Sequence, residues 1–119
     1  MNSFSEKFIV EPELLRVETA GAYAFDNLFD FIVRIKQAAQ LSGRDRILVD
    51  SSELTGTITE AERFQGGQYI AEVFGGRSML AWVLPKDQIT KLGELAAVNR
   101  GAKFLVTSSV SEAKEWLLR

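Results

Sequence analysis

Apolar positions along this chain change period several times, and each change marks an element. Phe8-Ile9-Val10 is a short apolar run, Glu11-Pro12-Glu13 interrupts it, and Leu14 to Glu18 resumes extended character. Two such runs separated by a three-residue break predict an antiparallel hairpin, with Gly21 closing the second strand. From Asp26 to Leu41 the period lengthens. Leu28, Phe31, Ile32, Ile35 and Ala39 follow helical spacing, and Asp26, Asp30, Arg34 and Gln37 take the opposite face. Gly43 is the stop signal. Phe29 and Val33 lie one turn apart and off this core face. Either the apolar stripe is broad and tucks under flanking chain, or the two residues form a partner or ligand surface, self-association as a dimer being the form expected.

Arg46 to Asp50 is apolar through its middle without alternation, as a strand covered on both faces requires. Thr59-Glu60-Ala61-Glu62 is a capping box that opens a helix reaching Phe74, with Phe64, Ala71 and Phe74 inward. Gly66-Gly67 sits inside that helix at a cost of about 1 kcal/mol each relative to alanine. The pair predicts a close backbone approach or a kink, or else a ligand contact. Gly75-Gly76 ends the helix, and Met79 to Leu84 is another strand, closed by Pro85. A helix capped by Asp87 is expected to run to Arg100 with Ile89, Leu92 and Ala96 inward, before Gly101. Phe104-Leu105-Val106 forms the last strand, and Ser109-Val110-Ser111-Glu112 reads as a second capping box. It opens a terminal helix with Val110, Ala113 and Leu117 on one face and Trp116 beside them.

The order β-β-α-β-α-β-α-β-α predicts a single α/β domain over residues 1–119, with a mostly parallel five-stranded sheet, right-handed crossovers and an N-terminal antiparallel hairpin. In such sheets ligands meet the carboxyl ends of the strands. Here that edge gathers Gly21 to Tyr23, Asp50 to Thr59, Pro85 to Asp87 and Thr107 to Ser109; the candidates on it are Asp50, Ser51, Ser52, Thr55, Gly56, Thr57 and Thr59, with Arg63 one turn into the helix. The helix N-terminus favours a phosphate or a partner's carboxylate, although Glu60 and Glu62 already stand there. Asp50 ends a central strand. It either accepts local hydrogen bonds or acts as a general base.

Composition narrows the chemistry. The chain carries 14 basic and 16 acidic residues without a basic stripe, so nucleic acid is not an expected partner. Its apolar runs fall short of the about 20 residues of a membrane span, and its start, Asn2-Ser3-Phe4-Ser5-Glu6-Lys7, carries no export signal. With no cysteine, disulfide and thiol chemistry drop out, and a cytoplasmic location is expected. With no histidine, the commonest general base and metal ligand are missing. Ser51 and Ser52 have no Gly-x-Ser-x-Gly elbow, and no phosphate-binding glycine motif occurs. Glu60 and Glu62 face different ways on the helix, so no metal or other cofactor is expected.

Three stretches carry a family likeness: Ile47-Leu48-Val49-Asp50 with Leu54-Thr55-Gly56; Glu62-Arg63-Phe64 with Gly67 and Tyr69; and Ala97-Val98-Asn99-Arg100-Gly101-Ala102 with Ala113 and Trp116-Leu117. In order and spacing they resemble the STAS superfamily of sulfate transporters and anti-sigma factor antagonists. The nearer match is its divergent bacterial branch of small stand-alone STAS-like proteins, related in shape to the CRAL-TRIO lipid binders. The resemblance implies a sequential sheet with the first strand antiparallel, and it supplies no reaction. In anti-sigma factor antagonists a phosphorylatable serine in an Asp-Ser pair opens the second helix. Matching Asp50 to the family's strand-end acid puts that site near Ile58-Thr59, which makes Thr59 the candidate phosphosite, though no aspartate precedes it. The expectation is a non-enzymatic regulatory or protein-interaction module. The alternatives are a binder of a small apolar or lipid-like ligand and, last, an enzyme using Asp50 as base.

Overall fold

The computed structural model describes residues 4–119. Strands β1 (Ser5–Val10), β2 (Leu15–Ala22), β3 (Arg46–Thr55), β4 (Met79–Val83) and β5 (Lys103–Thr107) form one sheet in sequential order. The β1–β2 pair is antiparallel and the other three pairings are parallel. Helices α1 (Phe25–Ser42), α2 (Glu60–Phe74), α3 (Leu92–Val98) and α4 (Val110–Leu117) complete the order read from the sequence.

The sheet has two unlike faces. Leu15, Val17, Ile47, Val49, Leu80, Trp82, Phe104 and Val106 pack under the crossover helices in one core cluster. Leu48, Ala81 and Val83 face the other way, onto Ala113 and Leu117 of α4. Helix α1 buries Phe31, Ile32, Ile35 and Ala39, and Gly43 takes the left-handed C-cap at φ 70°. This is the face that the helical spacing marks out.

Helix α2 is continuous through Gly66-Gly67, and both halves of the Thr59 capping box form. Glu62 N–H donates to Thr59 Oγ1 at 3.2 Å, and Thr59 N–H donates to Glu62 Oε1 at 3.0 Å. The glycines are there for packing. A Cβ on Gly67 would lie 2.2 Å from the Gly93 carbonyl oxygen of α3, whereas one on Gly66 would meet only the Leu28 Cδ2 methyl at 3.1 Å.

Several details differ from what periodicity predicts, and one is Phe64 of α2, expected inward but 38% exposed. Strand β2 continues past Gly21 to Ala22. Strand β3 runs beyond Asp50 to Thr55, because a bulge opposite the Glu18/Ala20 step lets pairing resume at Ala20↔Glu53. Residues Lys86 to Arg100 do not form one helix: a 3₁₀ turn at Lys86–Gln88 precedes α3, and Asp87 caps nothing. The chain at the start of α3 is held elsewhere, since Glu94 Oε1 accepts from Val106 N–H at 2.7 Å and Lys91 donates to the Val106 carbonyl. These bonds occupy the outer edge of β5, where an unpaired strand edge would otherwise be exposed. Finally, the second capping box is only half formed. Ser109 Oγ accepts from Glu112 N–H at 3.1 Å, but Ser109 N–H goes to Thr107 Oγ1 at 3.2 Å.

The glycine pair gives a paired prediction. Gly67→Ala drives a methyl into rigid backbone and is expected to lose about 2–3 kcal/mol of stability. Gly66→Ala gains helix propensity against a side chain that can move, and is expected to stay within about 1 kcal/mol of the parent. Urea denaturation of both variants checks the contrast, and equal losses would refute it.

Candidate functional site

The bulge in β3 divides the hydroxyl-rich edge into parts with different surroundings. Ser51 points into the helix-covered face and is 2% exposed. Its Oγ accepts from Thr19 Oγ1–H at 2.7 Å and from Trp82 Nε1–H at 2.9 Å, a buried knot joining β2, β3 and β4. Asp50, one residue earlier, points to the α4 side. Its Oδ1 accepts from Ser52 N–H at 3.1 Å and Ser52 Oγ–H at 2.7 Å, which pins the bulge. This is the local hydrogen-bonding role open to a carboxylate there. Thr55, Gly56, Thr57 and Thr59 are exposed, and Gly56 adopts φ 97° beside Tyr23.

Arg63 is set apart from the others. Its side chain is 8% exposed, against 59% for Glu60, its ion-pair partner one turn back. Arg63 Nε lies 3.0 Å from Glu60 Oε1, but its N–H is not aligned and makes no hydrogen bond. One terminal amino group donates to Gln88 Oε1 at 3.4 Å, and the same oxygen accepts from Ile58 N–H at 3.2 Å. Thr90 Oγ1 donates to Glu60 Oε1 at 2.8 Å. Gln88 and Thr90 therefore bind the Ser51–Thr59 segment and the start of α2 to the segment before α3. Sequence periodicity places Gln88 and Thr90 within a helix, so neither stands among the candidates that it yields.

Beneath these groups is a cavity of about 100 Å³ lined by α1, α2, the segment leading into α3 and the sheet. Its walls are largely apolar, with Leu28, Phe31, Ile58, Ile70, Trp82 and Phe104 among them. Ser51, Tyr23, Glu62, Arg63 and Thr90 are the chief polar contributors. Of the candidates that the sequence marks out, the structure thus gathers Ser51 and Arg63 at the cavity, turns Asp50 and Ser52 to the opposite face, and leaves the threonines on the outer loop.

Tyr23 stands at this junction, its O–H donating to Glu62 Oε1 at 3.3 Å. Burial first, and then the Glu62 carboxylate, push its pKa well above the ordinary value of 10. Phe29 stacks on Tyr69 with ring centroids 4.5 Å apart and meets Phe25 edge-on at 5.5 Å. One face of the ring expected to serve self-association is therefore taken up within the chain, and Val33 beside it is half-buried.

Among the described residues, no helix is long and apolar enough to cross a membrane, and no group of three acidic, histidine or cysteine residues could hold a metal ion.

The architecture defines an α/β domain with a sequential, mostly parallel sheet, and solved structures share it. No family model matches the sequence, and no curated protein is similar to it. The chain is similar to an anti-sigma factor antagonist from Mycobacterium paratuberculosis, with a TM-score of 0.68 at 12% identity over 98% of this chain and 96% of the other. It is also similar to the anti-sigma factor antagonist SpoIIAA in its unphosphorylated form, with a TM-score of 0.53 at 13% identity over 98% and 96%. The fold is that of the anti-sigma factor antagonists, the STAS fold.

Two predictions come from the buried polar groups. Ser51→Ala leaves Trp82 Nε1 and Thr19 Oγ1 without their shared acceptor and is expected to cost about 1–3 kcal/mol. Exposed Ser52→Ala should cost less than about 1 kcal/mol, as read from chemical denaturation. The Tyr23 shift has a definite sign. A group whose pKa is raised on folding adds stability that is complete below its unfolded value and is lost as pH rises through the folded value. Stability should therefore begin to fall above about pH 10. In a 295 nm titration of the folded protein, Tyr23 should ionise well after a model tyrosine, and the late step should vanish in Tyr23→Phe.

Proposed function

We propose that this protein is a non-enzymatic regulatory module that works by binding another protein. The observation that carries this reading is the fold shared with two anti-sigma factor antagonists, aligned over 98% of this chain at TM-scores of 0.68 and 0.53. The working edge in this reading is the exposed part of the Ser51–Thr59 segment, Thr55, Gly56, Thr57 and Thr59, with the first turn of α2. Exposed backbone and hydroxyls beside a helix N-terminus suit a partner's carboxylate or a phosphate. Thr59 is the candidate phosphosite, although its Oγ1 is already the acceptor of the capping box. A phosphate there would also face Glu60 and Glu62, whose like charge opposes it. Recognition of the unmodified loop therefore fits the electrostatics better than a phosphoswitch. Self-association through Phe29 and Val33 is the weaker form of the same reading, because the Phe29–Tyr69 stack already covers part of that surface.

A second reading, a binder of a small apolar ligand, is favoured by one specific feature, the apolar cavity behind Arg63. Use of Asp50 as a general base has no comparable support. Its Oδ1 is committed to Ser52, and it faces away from that cavity.

The protein-binding reading predicts a specific loss. Thr57→Arg changes an exposed side chain, and Thr59→Asp keeps a capping oxygen while adding charge. Proteins retained on immobilised wild-type chain should be lost on the double variant, with circular dichroism confirming an unchanged fold. Identical retention by both would remove this edge from consideration.

A further inference from the structure

We infer that the cavity between α1, α2 and the sheet takes a small carboxylate with a ring-sized apolar body, and that Arg63 holds its head group. The inference rests on the ligand-binding reading and adds the size and charge of the ligand. Size comes from the volume. At about 100 Å³ the space is somewhat smaller than an engineered apolar cavity of about 150 Å³ that takes benzene. It therefore suits a body of at most about six carbons rather than a long acyl chain. The walls suit an aromatic ring, with Phe31, Trp82 and Phe104 among them. Access comes from Ala24 and Asn27, which line the cavity and are themselves exposed, so the space reaches the surface beside the start of α1.

Charge comes from Arg63. A guanidinium this deeply buried is costly unless its N–H groups are paired. Nε–H is buried without a hydrogen bond, even with the Glu60 carboxylate 3.0 Å away. The Glu60 oxygen instead accepts from Thr90, and Glu60 itself is mostly in solvent, where its attraction is screened. The other acid at the cavity, Glu62, is engaged through Oε1 by Thr59 N–H and Tyr23 O–H. Glu60 pairs with Nε from the solvent side, and the one hydrogen bond of the guanidinium among the described residues is the 3.4 Å contact to Gln88, so a ligand carboxylate in the cavity would add a charge-assisted bond strong enough to outweigh the like charge of Glu60 and Glu62. A second spare donor lies on the sheet side. Thr19 and Ser51 carry two hydroxyl hydrogens and share one hydrogen bond, which leaves one hydrogen over among the described contacts.

The test uses the full chain and two isosteric probes, benzoate and benzamide, followed by the amide resonances of Ile58, Gly66, Gly67 and Gly93. Benzoate should shift these amides saturably and bind about tenfold more tightly than benzamide, the ratio expected for one charge-assisted bond. Arg63→Gln should bring the two probes within about twofold of each other. Ala24→Trp, a change at an exposed position with extended backbone, should block both. Equal affinities in the wild type, or a preference that survives Arg63→Gln, would overturn the assignment of the head group while leaving an apolar site. No saturable binding of either probe, or binding unaffected by Ala24→Trp, would overturn the cavity itself as a ligand site. Should Arg63→Gln lose its folded circular dichroism spectrum, the wild-type ratio and the Ala24→Trp arm decide the matter. These outcomes are read without a protein partner, so binding at the outer loop is tested separately by retention on the immobilised chain.

Discussion

The contact between Gly67 of α2 and Gly93 of α3 is the constraint around which this domain is arranged. Backbone meets backbone there, and a single Cβ on Gly67 would come within 2.2 Å of the Gly93 oxygen. On the other side of the same contact, a Cβ on Gly93 would meet the Arg63 carbonyl oxygen at 3.0 Å. With α3 drawn in this far, Ala96 and Ala97 can be fully buried as small residues, and the chain leading into α3 lies over the start of α2. Gln88 then reaches Ile58 and Arg63, and Thr90 reaches Glu60. Helix propensity given up at two glycines is exchanged for close packing and for a site that side chains from three segments share.

That exchange accounts for an unusual feature of the site, a buried cation. Arg63 lies under the segment that the glycines bring close, and its charge is offset by Glu60 from the solvent side and by the Gln88 oxygen. Ser51 is the neutral counterpart on the sheet side, a single hydroxyl that satisfies Trp82 and Thr19 at once. Both groups would be expensive to bury alone. Between them the cavity remains, and the close contacts of Gly67 with Gly93 and of Gly66 with Leu28 form part of its wall. Leu28 and Ile70 flank the space without filling it.

Much of the architecture is legible from period and caps. The α1 core face follows from spacing alone, and the Thr59 box forms as its sequence signature requires. What is not legible has a common cause. The helix expected from Asp87 to Arg100 is cut short because Lys91 and Glu94 tie down Val106 of β5, and the spacing along one segment cannot reveal a bond to another. The run Asp50-Ser51-Ser52 looks like one polar cluster, yet side chains alternate along a strand and a bulge resets the pairing. Ser51 is therefore buried with Trp82, while Asp50 and Ser52 pair on the opposite face. Arg63 is a candidate from sequence for its place one turn into the helix. Its burial, however, depends on Gln88 and Thr90, which periodicity alone puts in a helix interior.

The outer loop and the inner cavity are two sides of the same few residues. Ile58 lines the cavity, while Thr57 and Thr59 on either side of it are exposed. The Ile58 amide is held by the Gln88 oxygen that also accepts from Arg63. Anything that pulls Arg63 toward the cavity acts on that shared oxygen, and through it on the backbone between the two threonines. The proposed cavity site and the proposed loop surface are therefore neighbouring parts of this fold. They bear on one junction, formed by Ile58, Arg63 and Gln88.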